Sequence, residues 1–125
     1  MRRRLVLIAD DYADACEMYA LFLRMHGFDV VTAADGVEAV DVARRHRPDI
    51  VLLDIRMPRM TGTEALQELK ADPTFATTPV LALTAHALPE ERENALRAGF
   101  DAFISKPILP EALAEQLESI LGRGD

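Results

Sequence analysis

Five short hydrophobic runs recur along the chain, separated by stretches long enough to form helices. Three runs are continuous and rich in leucine or β-branched residues, without the alternation of a strand that has one solvent-exposed face. Continuous runs of this length are typical of strands covered on both faces, as in a parallel sheet. Two weaker runs have strand propensity and lie in phase with the others. The strong runs are 5–9, 50–53 and 80–83, and the weak runs are 28–32 and 102–105.

The stretches between these runs have the spacing of amphipathic helices. Three of them end at a glycine (Gly27, Gly99, Gly122), which suits the left-handed position after a helix. The other two stop before a proline, which cannot continue a helix. Each strand is therefore followed by a helix. The predicted helices are 12–26, 37–45, 63–71, 90–98 and 110–121.

Five repeats of strand and helix predict one α/β domain with a parallel sheet and right-handed crossovers. With helices on both faces the sheet is doubly wound, and we predict the flavodoxin-like strand order 2-1-3-4-5 with five helices. The domain is expected to span residues 4–121, with a C-terminal tail at 122–125. Sheets of this kind bind ligands at the carboxyl ends of their strands, so the residues that follow each strand are the candidates for function.

Composition narrows the class of protein without changing this fold. The 125 residues are 50% hydrophobic and 28% charged, as in a globular domain, and the formal net charge is −7. The negative charge argues against direct binding to nucleic acid or to an anionic membrane surface. We find no signal peptide and no run that would insert into a membrane, and a lone Cys16 excludes an internal disulfide. We therefore expect a cytoplasmic protein.

Polar and charged side chains follow four of the five predicted strands. If the strand order is right, the first and third strands are neighbours and three carboxylates converge. Two like charges about 4 Å apart repel by roughly 4 kcal/mol at an effective dielectric near 20, so a proton or a cation must lie among them. Oxygen ligands on a hydrated surface favour a hard ion such as Mg²⁺. The side chains are Asp10 and Asp11 after the first strand, Asp54 after the third, Thr84 after the fourth and Lys106 after the fifth.

The same edge of the sheet carries groups that can neutralise a phosphoryl group. Lys106 would supply an ammonium and Thr84 a hydroxyl, and phosphoryl transfer requires little from a protein beyond positioning and charge stabilisation. A carboxylate acceptor would form an aspartyl phosphate. We take this acceptor to be Asp54, where the apolar run of IVLLDIRMPRMTG passes into a proline-containing loop.

These motifs resemble the response-regulator receiver domain of two-component signalling, in its chemotaxis-regulator-like form, over residues 4–121. The resemblance rests on Asp10-Asp11, Asp54 in DIRMP, Thr84-Ala85 and Lys106-Pro107. It implies that Asp54 accepts a phosphoryl group from a phosphohistidine on a histidine kinase or a histidine phosphotransfer protein. It also implies no enzymatic activity beyond the domain's own phosphorylation and slow self-dephosphorylation. Such a domain would change shape to control a downstream protein target, as a monomer or weak homodimer.

The resemblance also assigns a metal site. Mg²⁺, with Mn²⁺ as an alternative ion, would be bound by Asp11, Asp54 and the backbone carbonyl of Arg56. Asp10 would act largely through a metal-bound water. The Lys106–Pro107 peptide resembles the cis bond of the family, which is uncommon enough to indicate a geometric role.

Further roles follow from the same resemblance. Lys106 and Thr84 would hold the phosphoryl oxygens. Thr84 and Phe103 would form the switch, in which the threonine moves toward the phosphoryl group and the ring changes rotamer. Phe103 lacks a hydroxyl, so inward burial should be its preference on activation. Arg56 and His86 occupy the sites that tune hydrolysis of the aspartyl phosphate, and we hypothesise that both side chains shield it from water.

The first predicted helix is more apolar than one buried face requires, since MYALFLRM at 18–25 has a single charged residue. In the family's register the residues that face outward are Ala20, Leu21 and Met25. We interpret these three as a docking patch for the helical bundle that carries the donor histidine. Scattered surface hydrophobes, which are common, are the alternative. The residues expected to face inward are Met18, Tyr19, Phe22 and Leu23.

Three other classes of protein fit parts of this pattern. An FMN carrier would need a phosphate-binding loop of Ser, Thr or Gly after the first strand, where Asp10 and Asp11 would repel the phosphate. A haloacid-dehalogenase-type phosphatase would place a D-x-D motif on that strand. A receiver-fold module that binds partners without using phosphate stays open as the alternative function, although all five site residues are present.

Overall fold

The computed structural model describes residues 3–122, and within this range five strands alternate with five α-helices. The sheet is parallel throughout, and its order is β2-β1-β3-β4-β5. Both the predicted architecture and the predicted strand order are confirmed. The strands are β1 (Leu5–Ala9), β2 (Asp29–Ala33), β3 (Ile50–Leu53), β4 (Val80–Thr84) and β5 (Ala102–Ser105); the helices are α1 (Ala13–Met25), α2 (Gly36–His46), α3 (Gly62–Lys70), α4 (Pro89–Ala98) and α5 (Pro110–Leu121).

Two hydrophobic layers explain why the central strands lack polar alternation. Alternate side chains of a strand point to opposite faces of the sheet. In β1, Leu7 and Ala9 lie in the layer shared with α2, α3 and α4, while Val6 and Ile8 lie in the layer shared with α1 and α5. All four residues of β3 are buried. Polar residues are therefore tolerated only where these strands end.

Local chemistry sets where the helices begin. Asp35 caps α2 by accepting a hydrogen bond from the Glu38 amide, and Thr61 and Glu64 form a reciprocal capping box at the start of α3. Both helices begin one residue earlier than the pattern predicts, because the glycine after each cap already belongs to the helix. A short 3-10 helix, Pro73–Phe75, has no counterpart among the predicted elements.

Several smaller expectations can be compared with the structure. The Lys106–Pro107 peptide is cis. Cys16 is buried and unpaired, and burial raises the pKa of its thiol to about 11. Among residues 3–122 no helix is both long enough and apolar enough to cross a membrane. Residues 123–125 of the predicted tail lie outside the described part of the chain.

Candidate functional site

Three carboxylates meet at the carboxyl edge of the sheet. Asp10 and Asp11 follow β1 and Asp54 follows β3, and these strands pair directly, with Ala9 opposite Leu53. One oxygen atom from each of the three carboxylates lies within 4.8 Å of the other two. Asp10 and Asp54 are buried, whereas Asp11 is exposed. The topology thus produces the convergence that the sequence predicts.

Lys106, at the end of β5, reaches into this cluster. Its ammonium donates to Asp10 Oδ2 and lies 3.3 Å from Asp54 Oδ2. Burial alone would lower the pKa of Lys106, but the carboxylates of Asp10 and Asp54 more than offset burial, and the pKa is raised. The ammonium is therefore the positive charge that allows two buried carboxylates to lie side by side.

Thr84 lies on the opposite side of Asp54 from the lysine contact. Its hydroxyl donates to Asp54 Oδ1 at 2.9 Å and accepts a hydrogen bond from the His86 amide at 3.1 Å. The Arg56 amide also donates to Asp54 Oδ1, at 3.3 Å. The two oxygens of Asp54 thus have different neighbours: one faces a hydroxyl and an amide, and the other faces the ammonium.

The donor set fits a hard divalent cation. Three carboxylates against one ammonium leave an excess of negative charge, and all the candidate ligands are oxygen atoms. Asp11 is exposed and open to a hydrated ion. Both oxygens of Asp10 already accept hydrogen bonds, from Lys106 and from the Tyr12 amide, which suits contact with an ion through water. The cluster opens into a pocket of about 560 Å³ whose wall continues along α1 and Pro107.

Some of the residues predicted to surround Asp54 make their contacts with α4. Phe103 is buried in this structure, and the Arg92 guanidinium lies 5.8 Å from the ring centroid. The side chain of Arg56 extends to α4, where it forms an ion pair with Glu91 at 3.3 Å. His86 is half-buried beside Thr84. No pattern in the sequence indicates that α4 contributes Glu91 and Arg92 to this surface.

The predicted docking patch needs correction at Ala20. This residue is fully buried, because the stripe that α1 turns to the sheet is Cys16, Tyr19, Ala20 and Leu23, at the i, i+3, i+4, i+7 spacing. Met18, which was expected to face inward, is instead exposed. The exposed apolar stripe of α1 therefore consists of Met18, Leu21 and Met25, and Met18 also lines the pocket.

Fold and site together define a class of protein: a doubly wound domain in which the ligand-binding edge of the sheet is acidic and contains a lysine. Nucleotide carriers with this fold have a phosphate-binding loop at that edge instead. The family model of the response regulator receiver domain matches residues 6–118 of this chain. The chain belongs to this family, the receiver domains of two-component signalling.

Relatives of known name or structure agree with this assignment. The polar-differentiation response regulator DivK of Brucella anthropi is 35% identical over 94% of this chain and 95% of its own length. The chemotaxis protein CheY4 of Vibrio cholerae is 33% identical, with a TM-score of 0.88 over 94% of this chain and 98% of that one. The receiver domain of the sensor histidine kinase PA1611 from Pseudomonas aeruginosa, solved with a magnesium ion in its active-site cleft, is 34% identical, with a TM-score of 0.88 over 96% of this chain and 98% of that one.

Proposed function

We propose that this receiver domain, spanning residues 4–121, accepts a phosphoryl group on Asp54 and changes shape in response. The observation that carries the proposal is the environment of the Asp54 carboxylate. It lies in a cluster of three acids and contacts both the Lys106 ammonium and the Thr84 hydroxyl. Each of these groups has a use in phosphoryl transfer, and their combination on one acid favours this function over a simple surface turn.

In the proposed reaction a carboxylate oxygen of Asp54 attacks the phosphorus of a phosphohistidine. The phosphorus–nitrogen bond breaks, and its electron pair stays on the imidazole of the donor. Lys106 and Thr84, which already contact opposite oxygens of the acceptor, would hold two of the phosphoryl oxygens. The three carboxylates, with the backbone carbonyl of Arg56, would hold Mg²⁺ or Mn²⁺, which supplies further positive charge to the phosphoryl group.

The hydrogen bond between Thr84 and Asp54 would couple phosphorylation of Asp54 to a change of shape. In the described structure the Thr84 hydroxyl donates to the carboxylate itself. A phosphoryl group on Asp54 would offer new acceptor oxygens farther from the β3 backbone, and Thr84 would follow them. Phe103, on the neighbouring strand β5 and beneath Arg92, would respond to that movement. We assign output to this region and expect it to contact a downstream protein target in the cytoplasm.

Incubation with acetyl phosphate, with and without Mg²⁺, tests the function directly. Intact-mass measurement should show the addition of one phosphoryl group that requires Mg²⁺, and beryllofluoride with Mg²⁺ should bind as a stable mimic. A chain that gains no mass and binds no beryllofluoride would instead be a receiver-fold interaction module that works without phosphate.

The exposed stripe Met18, Leu21 and Met25 is the surface that we propose for docking the phosphodonor. It begins at the wall of the pocket and continues along α1, so a helix laid on it would bring a donor histidine toward Asp54.

Leu21→Asp is therefore expected to reduce phosphotransfer from a phosphohistidine protein by about tenfold or more, as for loss of an interface hot spot. Phosphorylation by acetyl phosphate should not change, because Leu21 is exposed and does not line the pocket. Leu96→Asp, at an exposed leucine of α4, is the matched control. Equal transfer to Leu21→Asp and to the native chain would contradict docking on α1.

Arg56 and His86 are proposed to set the lifetime of the aspartyl phosphate by limiting access of water. Alanine at either position should shorten the half-life of the phosphorylated chain several-fold, as measured by loss of the added mass over time. Arg97→Ala, at an exposed arginine of α4 outside the site, serves as the control. An unchanged half-life in both variants would refute the shielding role.

A further inference from the structure

The start of α3 lies directly against the peptide of the acceptor residue. The Gly62 amide donates to the Ile55 carbonyl at 2.8 Å. A Cβ atom at Gly62 would lie 2.1 Å from the Asp54 carbonyl oxygen and 2.9 Å from both the Asp54 carbonyl carbon and the Ile55 Cα. No side chain fits at that distance from backbone, so this contact requires glycine at position 62.

We propose that Gly62 is a positioning residue for phosphoryl acceptance, an inference that rests on the proposed function. Its contact with the 54–55 peptide fixes the direction in which the Asp54 side chain leaves the end of β3. It also places the Arg56 amide, which donates to Asp54 Oδ1 at 3.3 Å, and with it the Arg56 carbonyl proposed as a metal ligand. Gly62 thus acts on the site through the backbone of the acceptor and its loop.

An added methyl group at position 62 would push either α3 or the Asp54 peptide out of place. The packing of α3 indicates which of the two would move. Gly62, Ala65, Leu66 and Leu69 are all buried, and Thr61 and Glu64 fix the first turn through the capping box. Moving this helix away would open a gap in the hydrophobic layer and break the cap. The loop after β3, residues 54–61, belongs to no helix or strand, and ahead of Thr61 it can shift without breaking a cap, although the Arg59 side chain within it pairs with Asp35. A Cβ at position 62 would therefore displace the Asp54 peptide more than the helix.

The start of α2 offers a matched control. Gly36 is also the first residue of a helix, is also buried, and also follows a residue whose side chain caps the helix. A Cβ there would lie 2.0 Å from the Met60 carbonyl oxygen, as severe a clash as at Gly62. Met60 is six residues past Asp54, at the far end of the same loop, so Gly36→Ala should cost stability while displacing the Asp54 peptide much less than Gly62→Ala does.

The test compares Gly62→Ala and Gly36→Ala by thermal denaturation, Mg²⁺ titration calorimetry, the rate of phosphorylation by acetyl phosphate, and the NMR position of the Arg56 amide. Misplacing a reacting group by about 1 Å can cost about 100-fold in rate, and we expect a loss of that order in Gly62→Ala. Its Mg²⁺ affinity should fall as well, and its Arg56 amide signal should move. Gly36→Ala should lower the melting temperature comparably while keeping near-native values for the other three measurements.

A Gly62→Ala protein that matches Gly36→Ala in rate and Mg²⁺ affinity would overturn the positioning role. If Gly62→Ala does not fold, Thr61→Ala takes its place, because loss of the cap loosens the same first turn without adding a clash. Its control is Glu38→Ala, which removes the hydrogen bond from the Ala34 amide to the Glu38 side chain at the start of α2. Equal Mg²⁺ affinity and an unmoved Arg56 amide in Thr61→Ala would likewise overturn the proposal. A native chain that takes up no phosphoryl group would refute the proposed function itself, and the positioning role with it.

Discussion

Replacing Asp54 with asparagine should abolish the gain of mass from acetyl phosphate, because the amide cannot act as the attacking carboxylate. The fold should survive this change. An amide oxygen at the same place can still accept from the Thr84 hydroxyl and from the Arg56 amide. The substitution also removes one of three clustered negative charges, so it should relieve repulsion within the site.

The matched control for this experiment is Asp14→Asn. Asp14 is exposed and lines the same pocket, but it is not one of the three converging carboxylates. This variant should gain one phosphoryl group as the native chain does. A gain of mass in Asp54→Asn equal to that of the control would mean that another residue is the acceptor.

Replacing Lys106 with methionine should have the next largest effect. Methionine keeps an unbranched side chain of similar length but removes the charge that is proposed to hold a phosphoryl oxygen. Loss of one such stabilising group typically costs about 10²–10³-fold in rate, and we expect phosphorylation by acetyl phosphate to slow by that factor. Lys70→Met is the control, because Lys70 pairs with Asp101 and does not line the acceptor pocket.

The affinity of Lys106→Met for divalent ions should not fall, even though its rate of phosphorylation does. The Lys106 ammonium contacts both Asp10 and Asp54, so it competes electrostatically with a cation for these carboxylates. Lys106→Met should therefore bind Mg²⁺ at least as tightly as the native chain in a calorimetric titration, although it reacts more slowly. Weaker Mg²⁺ binding would indicate that the lysine helps to organise the carboxylates and does not merely neutralise them.

Because the pKa of Lys106 is raised in the folded chain, the stability of the native chain and that of Lys106→Met should depend differently on pH. A base whose pKa is higher in the folded state stabilises the fold fully at pH values below its unfolded pKa, here near 10.5. That stabilisation is lost as the pH rises through the higher folded value. The native chain should therefore lose stability above about pH 10.5 to a degree that Lys106→Met does not share.

The strand order and the acidic cluster were predictable because they depend on patterns that extend along the sequence. Continuous apolar runs separated by helical stretches specify a doubly wound sheet, and the topology brings the carboxyl ends of β1 and β3 together. Asp10 and Asp54 meet for this reason alone. No knowledge of individual side-chain conformations is needed to predict that contact.

The predictions from sequence were wrong or missing where a side chain's position depends on a fraction of a helical turn or on a direct packing contact. Ala20 and Met18 exchange their predicted faces because the inward direction of α1 depends on how Tyr19 and Leu23 pack against the sheet. The ion pair of Arg56 with Glu91 depends on where α4 lies relative to the loop after β3. The approach of Gly62 to the acceptor peptide likewise depends on the path of a loop, which composition does not encode.

The attachment of α4 has a mechanical consequence. In the described structure α1, α2, α3 and α5 each bury three or more residues, whereas α4 buries Ala95 alone. Its other tethers include the Arg56–Glu91 ion pair, the Arg92 guanidinium over the Phe103 ring and a hydrogen bond from the Gln67 side chain to the Ala98 carbonyl. Displacing α4 would therefore disturb few buried contacts, mainly those of Ala95, and would leave the hydrophobic layer shared with α1 and α5 intact.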